Sequence, residues 1–226
     1  KNYLKFLDKG KTERECVKQI VKQAEEKGYV NLADITKDKK ALKAGDKVYS
    51  VCMDKTVALF QIGKKKLEKG MNILGAHIDS PRMDVKQNPL YESEEFAYLD
   101  THYYGGIKKY QWVTLPLALH GVVVKKDGTV ITVNVGEDKN DPVFCVTDLL
   151  IHLAGEQMEK KANKVIEGEN LDVLVGSKPL EGKEKDAVKE GILEILKEKY
   201  DMTEEDFMSA EIEVVPAGHA REAGLD

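Results

Sequence analysis

His77 and Asp79 stand two residues apart at the end of an apolar run, Met71 to Ala76, in the order Gly75-Ala76-His77-Ile78-Asp79-Ser80-Pro81. A neutral imidazole is a good zinc ligand, and a nearby carboxylate can accept its second ring hydrogen and hold the ring in one orientation. In an extended strand, residues i and i+2 share a face, which lets the two side chains cooperate. One imidazole and one carboxylate do not make a metal site, because a catalytic zinc ordinarily takes three protein ligands and a water. Judged on this triplet alone, a polar strand end is the favoured reading, since His-X-Asp is common by chance.

The other histidines carry less. His152 lies in Asp148-Leu149-Leu150-Ile151-His152-Leu153-Ala154, where the local pattern favours a hydrogen-bonded core histidine in a helix. His120 ends an apolar strand and reads as structural. His102 stands beside Tyr103, Tyr104, Gly105 and Gly106, in an aromatic, glycine-rich loop that suits either binding or a tight turn. His219, in Pro216-Ala217-Gly218-His219-Ala220-Arg221, reads as part of an exposed loop. Gly105-Gly106 does not extend to a phosphate loop or a dinucleotide fingerprint. The Gly-X-Ser-X-Gly nucleophile elbow does not occur, and nothing near Ser80 supports a serine triad.

The elements that must position these residues follow from periodicity. Thr12 to Lys27 reads as a helix: Thr12 with Glu15 makes a capping box, Val17, Ile20, Val21 and Ala24 share a face, and Gly28 stops it. Lys47 to Cys52 and Thr56 to Ile62 read as a hairpin, turning at Met53-Asp54-Lys55. Met71 to Ala76 reads as a buried strand whose end presents the His77 segment, the place where open α/β sheets bind ligands. After about Pro89 the character changes. Tyr91 to Asp100 reads as a charged and aromatic loop or edge. Trp112 to Lys125 and Thr129 to Val135 alternate like strands joined at Lys126-Asp127-Gly128. Lys160 to Glu169 is polar and reads as a connection. Lys185 to Tyr200 is a second helix with Val188, Ile192, Ile195 and Leu196 on its apolar face. Thr203 caps a short following helix, and Glu211 to Val215 is a last strand closed by Pro216.

Composition bounds the class. Hydrophobic residues make up 42% of the 226, which supports a real core and excludes wholesale disorder. The net charge of -5 comes from 35 basic and 40 acidic side chains, without the clustered basic face of a nucleic-acid binder. Cys16, Cys52 and Cys145 are odd in number and irregularly spaced, so they are no disulfide framework, and no CxxC pair points to a zinc knuckle. A reducing cytoplasm is the expected setting. No apolar run approaches the ~20 residues of a membrane helix, so no membrane partner is expected. Lys1 to Gly10 does not have the pattern of a signal peptide.

Taken in order, four motifs resemble one family. Asn72-Ile73-Leu74-Gly75-Ala76-His77-Ile78-Asp79-Ser80-Pro81-Arg82 looks like the first metal motif of the aminopeptidase I and aspartyl aminopeptidase family. Tyr103-Tyr104-Gly105-Gly106-Ile107-Lys108-Lys109-Tyr110-Gln111-Trp112 resembles the segment that follows it in the aminopeptidase I branch. Asp148 to Leu153 and Ala210 to Gly218 match further on, so the resemblance runs over essentially the whole chain.

The resemblance implies a cocatalytic two-zinc exopeptidase that removes N-terminal residues from peptides. The implied fold class is α/β: a partial zinc-peptidase catalytic domain, a mixed sheet with helices, interrupted by an inserted β-rich dimerisation domain with helices. The implied boundaries are residues 1–93 for the catalytic part, 94–216 for the inserted domain and 217–226 for the return. His77 becomes a zinc ligand and Asp79 the residue that orients it. His152 becomes a catalytic and substrate-binding residue that reaches the neighbouring subunit's site, which reverses its local reading. The implied partners are a peptide substrate and copies of the chain itself, assembled as a dodecamer. In the family the bridging Asp, the paired Glu residues (one the general base), a further Asp and a last His follow the inserted domain. This sequence stops at Asp226 before them, so the expectation is that it is incomplete and inactive alone. Two other readings stand beside this one: a non-catalytic oligomerisation or binding protein that keeps the scaffold without the metal cluster, and a metallohydrolase of another class, such as a deacylase.

Overall fold

The computed structural model describes residues 2–225. The chain forms two units: Lys1–Ser80 with His219–Asp226, and Pro81–Gly218.

The first unit begins with two helices, α1 (Asn2–Lys9) and α2 (Glu13–Glu26). The capping box at the start of α2 is formed: Thr12 Oγ1 accepts from the Glu15 backbone N–H at 3.4 Å, and the Glu15 carboxylate accepts from the Thr12 N–H at 3.2 Å. Cys16, Val17 and Ala24 bury the inner face. A short strand β1 (Val30–Asn31) and helix α3 (Leu32–Lys37) lead to the hairpin β2 (Lys47–Cys52) and β3 (Thr56–Gln61). The sheet order is β1-β2-β3, with β1 parallel and β3 antiparallel to β2, so β3 is an edge. Residues 71–81 have no regular secondary structure, whereas the sequence predicts a strand from Met71 to Ala76. Met71, Ile73 and Leu74 are exposed, Leu74 completely. A strand exists only through its ladder partner, and among the described residues the pairs of this sheet are β1 with β2 and β2 with β3. The apolar pattern is there, but no described strand pairs with it.

The second unit is built on a seven-stranded antiparallel sheet. In chain order its strands are β4 (Arg82–Ser93), β5 (Phe96–Tyr104), β6 (Leu117–Val124), β7 (Val130–Val135), β8 (Cys145–Val146), β9 (Val173–Gly176) and β10 (Ala210–Pro216). Their spatial order is β7-β6-β10-β4-β5-β9-β8. Tyr91 to Asp100 is therefore no loop: it is the turn-proximal half of the β4–β5 hairpin. The sequence boundary at residue 93 falls in that turn, but the units divide at Ser80 and Pro81, because β4 lies between β10 and β5 in the middle of the sheet. Likewise β6 starts at Leu117, not Trp112: residues 109–111 form a 3-10 turn, and Pro116 precedes the strand.

A turn of helix, α4 (Gly155–Met158), and a long helix, α5 (Ala187–Tyr200), complete the unit. The core gathers Met83, Leu99, Leu117, Val123, Leu171, Val173, Met202, Phe207, Ile212 and Val214 on one sheet face, with Val188, Ile192 and Leu196 of α5. Ile195, expected on that helix face, is exposed. Gly176 lets α5 approach β9 closely, since a Cβ there would stand 2.6 Å from Ile192 Cδ1. The short helix expected after Thr203 is a 3-10 turn, Glu204–Ser209, with its own capping box to Asp206.

Candidate metal and substrate residues

In the first unit, Nδ1 of His77 lies 3.1 Å from Asp79 Oδ1 and 3.1 Å from the Asp79 backbone oxygen. With its proton on Nδ1, the ring donates to Asp79 and carries its available lone pair on Nε2. That is the tautomer a metal ligand needs, set by the carboxylate beside it. The contact is made through a bend in an irregular segment, not across the face of a strand. The imidazole is 86% exposed and lines an open cleft of about 460 Å³ within this unit, together with Glu13, Lys55, Val57, Ala76 and Asp79.

These residues fit one corner of a zinc site: a neutral imidazole nitrogen presented outward, and a carboxylate that orients it. Among the described residues no group of three or more His, Cys, Asp or Glu side chains converges to complete the set.

His152 belongs to the second unit, in the turn between β8 and α4. The local sequence pattern favours a helical core position, but the residue is neither helical nor buried: it is exposed, and Leu150, Ile151 and Leu153 around it are 71%, 67% and 70% exposed. Asp148 braces this turn, accepting from the Leu149 N–H at 2.8 Å and from Gln157 Nε2 at 2.9 Å. The apolar run that reads as a core helix is a surface feature. His102 is in β5, stacked on Tyr103 with ring centroids 5.2 Å apart, and not in a loop. His219 is exposed, 3.5 Å from Asp8.

His120 is structural, as expected, but it lies inside β6 and not at its end, almost fully buried, with Nε2 3.0 Å from Glu137 Oε1. It belongs to a row of charged side chains that the histidines alone do not reveal. Glu213 on β10 is directly opposite His120 on β6 and Asp84 on β4. Arg82 Nε lies 2.7 Å from Asp84 Oδ1 and 3.2 Å from Glu213 Oε2, and its guanidinium sits 4.1 Å from the Tyr104 ring. Two carboxylates directly opposite each other across a ladder repel, and the positive charge of Arg82, whose Nε lies close to both, offsets that repulsion. The signal for this row in the sequence is the alternation Glu211-Ile212-Glu213-Val214, which places carboxylates on the face away from the core.

Known proteins share this sequence and architecture. The family model for "Aminopeptidase I zinc metalloprotease (M18)" matches residues 6–226. A probable M18 family aminopeptidase 1 of Clostridium acetobutylicum is 63% identical over 222 residues, covering 98% of this chain and 48% of the relative. The crystal structure of an M18 aminopeptidase from Thermotoga maritima superposes with a TM-score of 0.92 at 48% identity, over 99% of this chain and 48% of that one. A yeast mApe1 dodecamer has the same fold, with a TM-score of 0.65 at 17% identity, over 95% of this chain and 47% of that one. The chain thus spans about half the length of the curated relatives it matches.

Proposed function

This chain belongs to the aminopeptidase I zinc metalloprotease (M18) family, and on that premise we propose that it forms the N-terminal half of a zinc aminopeptidase in which His77 is a metal ligand. The observation that carries the reading is the 3.1 Å contact from His77 Nδ1 to Asp79 Oδ1, which leaves Nε2 to coordinate. Zinc bound there would supply a Lewis acid for the scissile carbonyl and a water of lowered pKa. The chain's own part is to hold the imidazole in one tautomer and one orientation. The remaining ligands and the general base are contributed by the other half of the protein, and peptides with a free N-terminus are the substrate.

The second unit is the dimerisation domain in this reading, with its exposed turn around His152 at the contact between copies. His152 reaches the neighbouring copy's site and donates a ring N–H to the substrate carbonyl as negative charge develops on its oxygen. The exposure of Leu150, Ile151 and Leu153 supports a buried role for this turn in an assembly, and the relative solved as a dodecamer is consistent with that.

The test uses a chain extended to the length of the relatives and chromogenic amino-acid amides. His77→Ala should abolish turnover with the assembly intact. Near-normal rates in that variant would remove His77 from the site.

A further inference from the structure

Charge is unevenly divided along the chain. The first unit, residues 1–80 and 219–226, carries 19 basic and 13 acidic side chains, and the second, residues 81–218, carries 16 and 27. Within the first unit, positive charge gathers around one open cleft of about 700 Å³, bordered by the end of α2, β1, α3 and the loop that leads into β2. Lys27, Lys40, Lys43 and Lys47 line it, together with the apolar side chains of Val30 and Ile35. Lys47 is half-buried and held in place: its ammonium donates to the Lys27 backbone oxygen at 3.1 Å and lies 5.6 Å from the centre of the Tyr29 ring. Lys40 pairs with Asp38 at 2.7 Å on the surface, where such a pair contributes little. Among the described residues, the ammonium groups of Lys27 and Lys43 have no carboxylate partner. The one carboxylate in the lining, Asp46, accepts the Lys43 backbone N–H at 2.7 Å. Like charges gathered around one concavity repel one another, and the concavity focuses their field on an anion that enters it.

We propose that this cleft binds a small phosphate-bearing anion, held chiefly by Lys27 and Lys43. The volume is that of a small-ligand site. Ammonium groups on flexible stems hold phosphate as point charges, without the planar fork that matches a carboxylate. A ligand with several phosphate charges engages more than one of them at once, which a single carboxylate does not. The site stands apart from the proposed zinc chemistry in sequence, since its lining ends at Lys47, thirty residues before His77.

The experiment titrates the extended protein with inorganic tripolyphosphate at about 0.15 M salt, where exposed charges more than roughly 8 Å apart are screened. Binding is read by calorimetry and by the rise in Tm that a ligand of the folded state produces. Saturable binding at one site per chain is expected. Lys27→Ala combined with Lys43→Ala should weaken it about tenfold. Lys64→Ala combined with Lys65→Ala removes the same charge from an exposed run of the same unit and should leave the affinity unchanged. ATP identifies the source of the phosphates: tighter binding than tripolyphosphate gives the nucleoside to the apolar wall of Val30 and Ile35, and equal or weaker binding leaves the phosphates as the whole ligand. No saturable binding of tripolyphosphate would overturn the inference. So would a signal that survives the loss of Lys27 and Lys43, which would come from elsewhere on the protein, its metal included. An equal loss in the two lysine pairs would overturn it too, because the attraction would then belong to the net charge and not to the cleft.

Discussion

At the scale of single residues, Asp79 and Asp172 are carboxylates in opposite situations. Asp79 is 40% exposed and has the His77 ring to accept from. Its removal should not unfold anything, but it should loosen the ring: Asp79→Asn in the extended protein is expected to lower kcat/KM by about 10–100-fold through the orientation of His77, read by steady-state kinetics with zinc content measured in parallel. Asp172 is partly buried beside β5. It accepts the Tyr91 hydroxyl at 2.8 Å. Burial pushes its pKa above the ordinary carboxylate value, the Asp100 charge adds to that, and the Tyr91 hydrogen bond only partly opposes it. The folded chain therefore holds the Asp172 proton to a higher pH than the unfolded chain does. The stability tied to that proton is complete below the ordinary carboxylate range and is lost as pH rises through the raised value. Asp172→Asn has no proton to lose. As pH rises from the ordinary carboxylate range towards neutrality, the difference in Tm between variant and parent should move in the variant's favour. A pH-independent difference would show that the Asp172 carboxyl is solvated in solution.

At the scale of elements, the β4–β5 hairpin shows best what the sequence conceals. Its strands are the longest in the chain, yet the turn residues Glu94 and Glu95 both adopt left-handed backbone, with φ of 51° and 63°. Two-residue turns of this hand favour Asn-Gly, and a Glu-Glu pair sends no such signal, so the stretch around it reads as a charged loop. The left-handed conformation also costs a non-glycine residue about 1–2 kcal/mol. Replacing the pair, Glu94→Asn with Glu95→Gly, should therefore stabilise the second unit by about 1 kcal/mol, measured by denaturant unfolding; destabilisation would mean the two glutamates make contacts worth more than the strain. Where local chemistry and tertiary structure agree, the elements are legible: the capping box at Thr12, the cap at Thr203, the Lys126-Asp127-Gly128 turn and helix α5 all stand within a few residues of where the pattern puts them. Where an element depends on a partner elsewhere, legibility fails in both directions. Met71 to Ala76 has a strand's composition but no ladder among the described residues, and Leu149 to Leu153 has a core's composition but lies on the surface. The His77–Asp79 pair is readable because its contact is local; the Arg82–Glu213–His120 row is not, because residues 82, 120 and 213 meet only through strand register.

At the scale of the whole molecule, the proposed function would bury both exposed apolar stretches, the one around Leu74 and the one around Ile151. For the zinc site this yields a simple expectation. If His77 is the one zinc ligand that these 226 residues supply, as proposed, they should bind zinc weakly, and stoichiometric two-zinc content after dialysis, by elemental analysis, would contradict it. For the turn around His152 the expectation concerns assembly and catalysis together. If the turn is buried between copies and His152 donates to a neighbour's substrate, the donor acts mainly in the transition state, so its loss should lower kcat far more than it raises KM. Removal of one such donor costs about 3–4 kcal/mol, roughly a hundredfold or more in rate. A histidine that only packs in the contact behaves otherwise: its replacement by an aromatic ring of similar size weakens the assembly, and activity per correctly assembled molecule survives. His152→Phe in the extended protein separates the two, with zinc content, oligomer size and steady-state kinetics measured on one preparation. Parental zinc and size with kcat reduced about a hundredfold places the ring at the neighbour's reacting carbonyl. Parental kcat in an oligomer of normal size shows that the exposed histidine serves the contact alone, and that the donor to the developing oxyanion is another group.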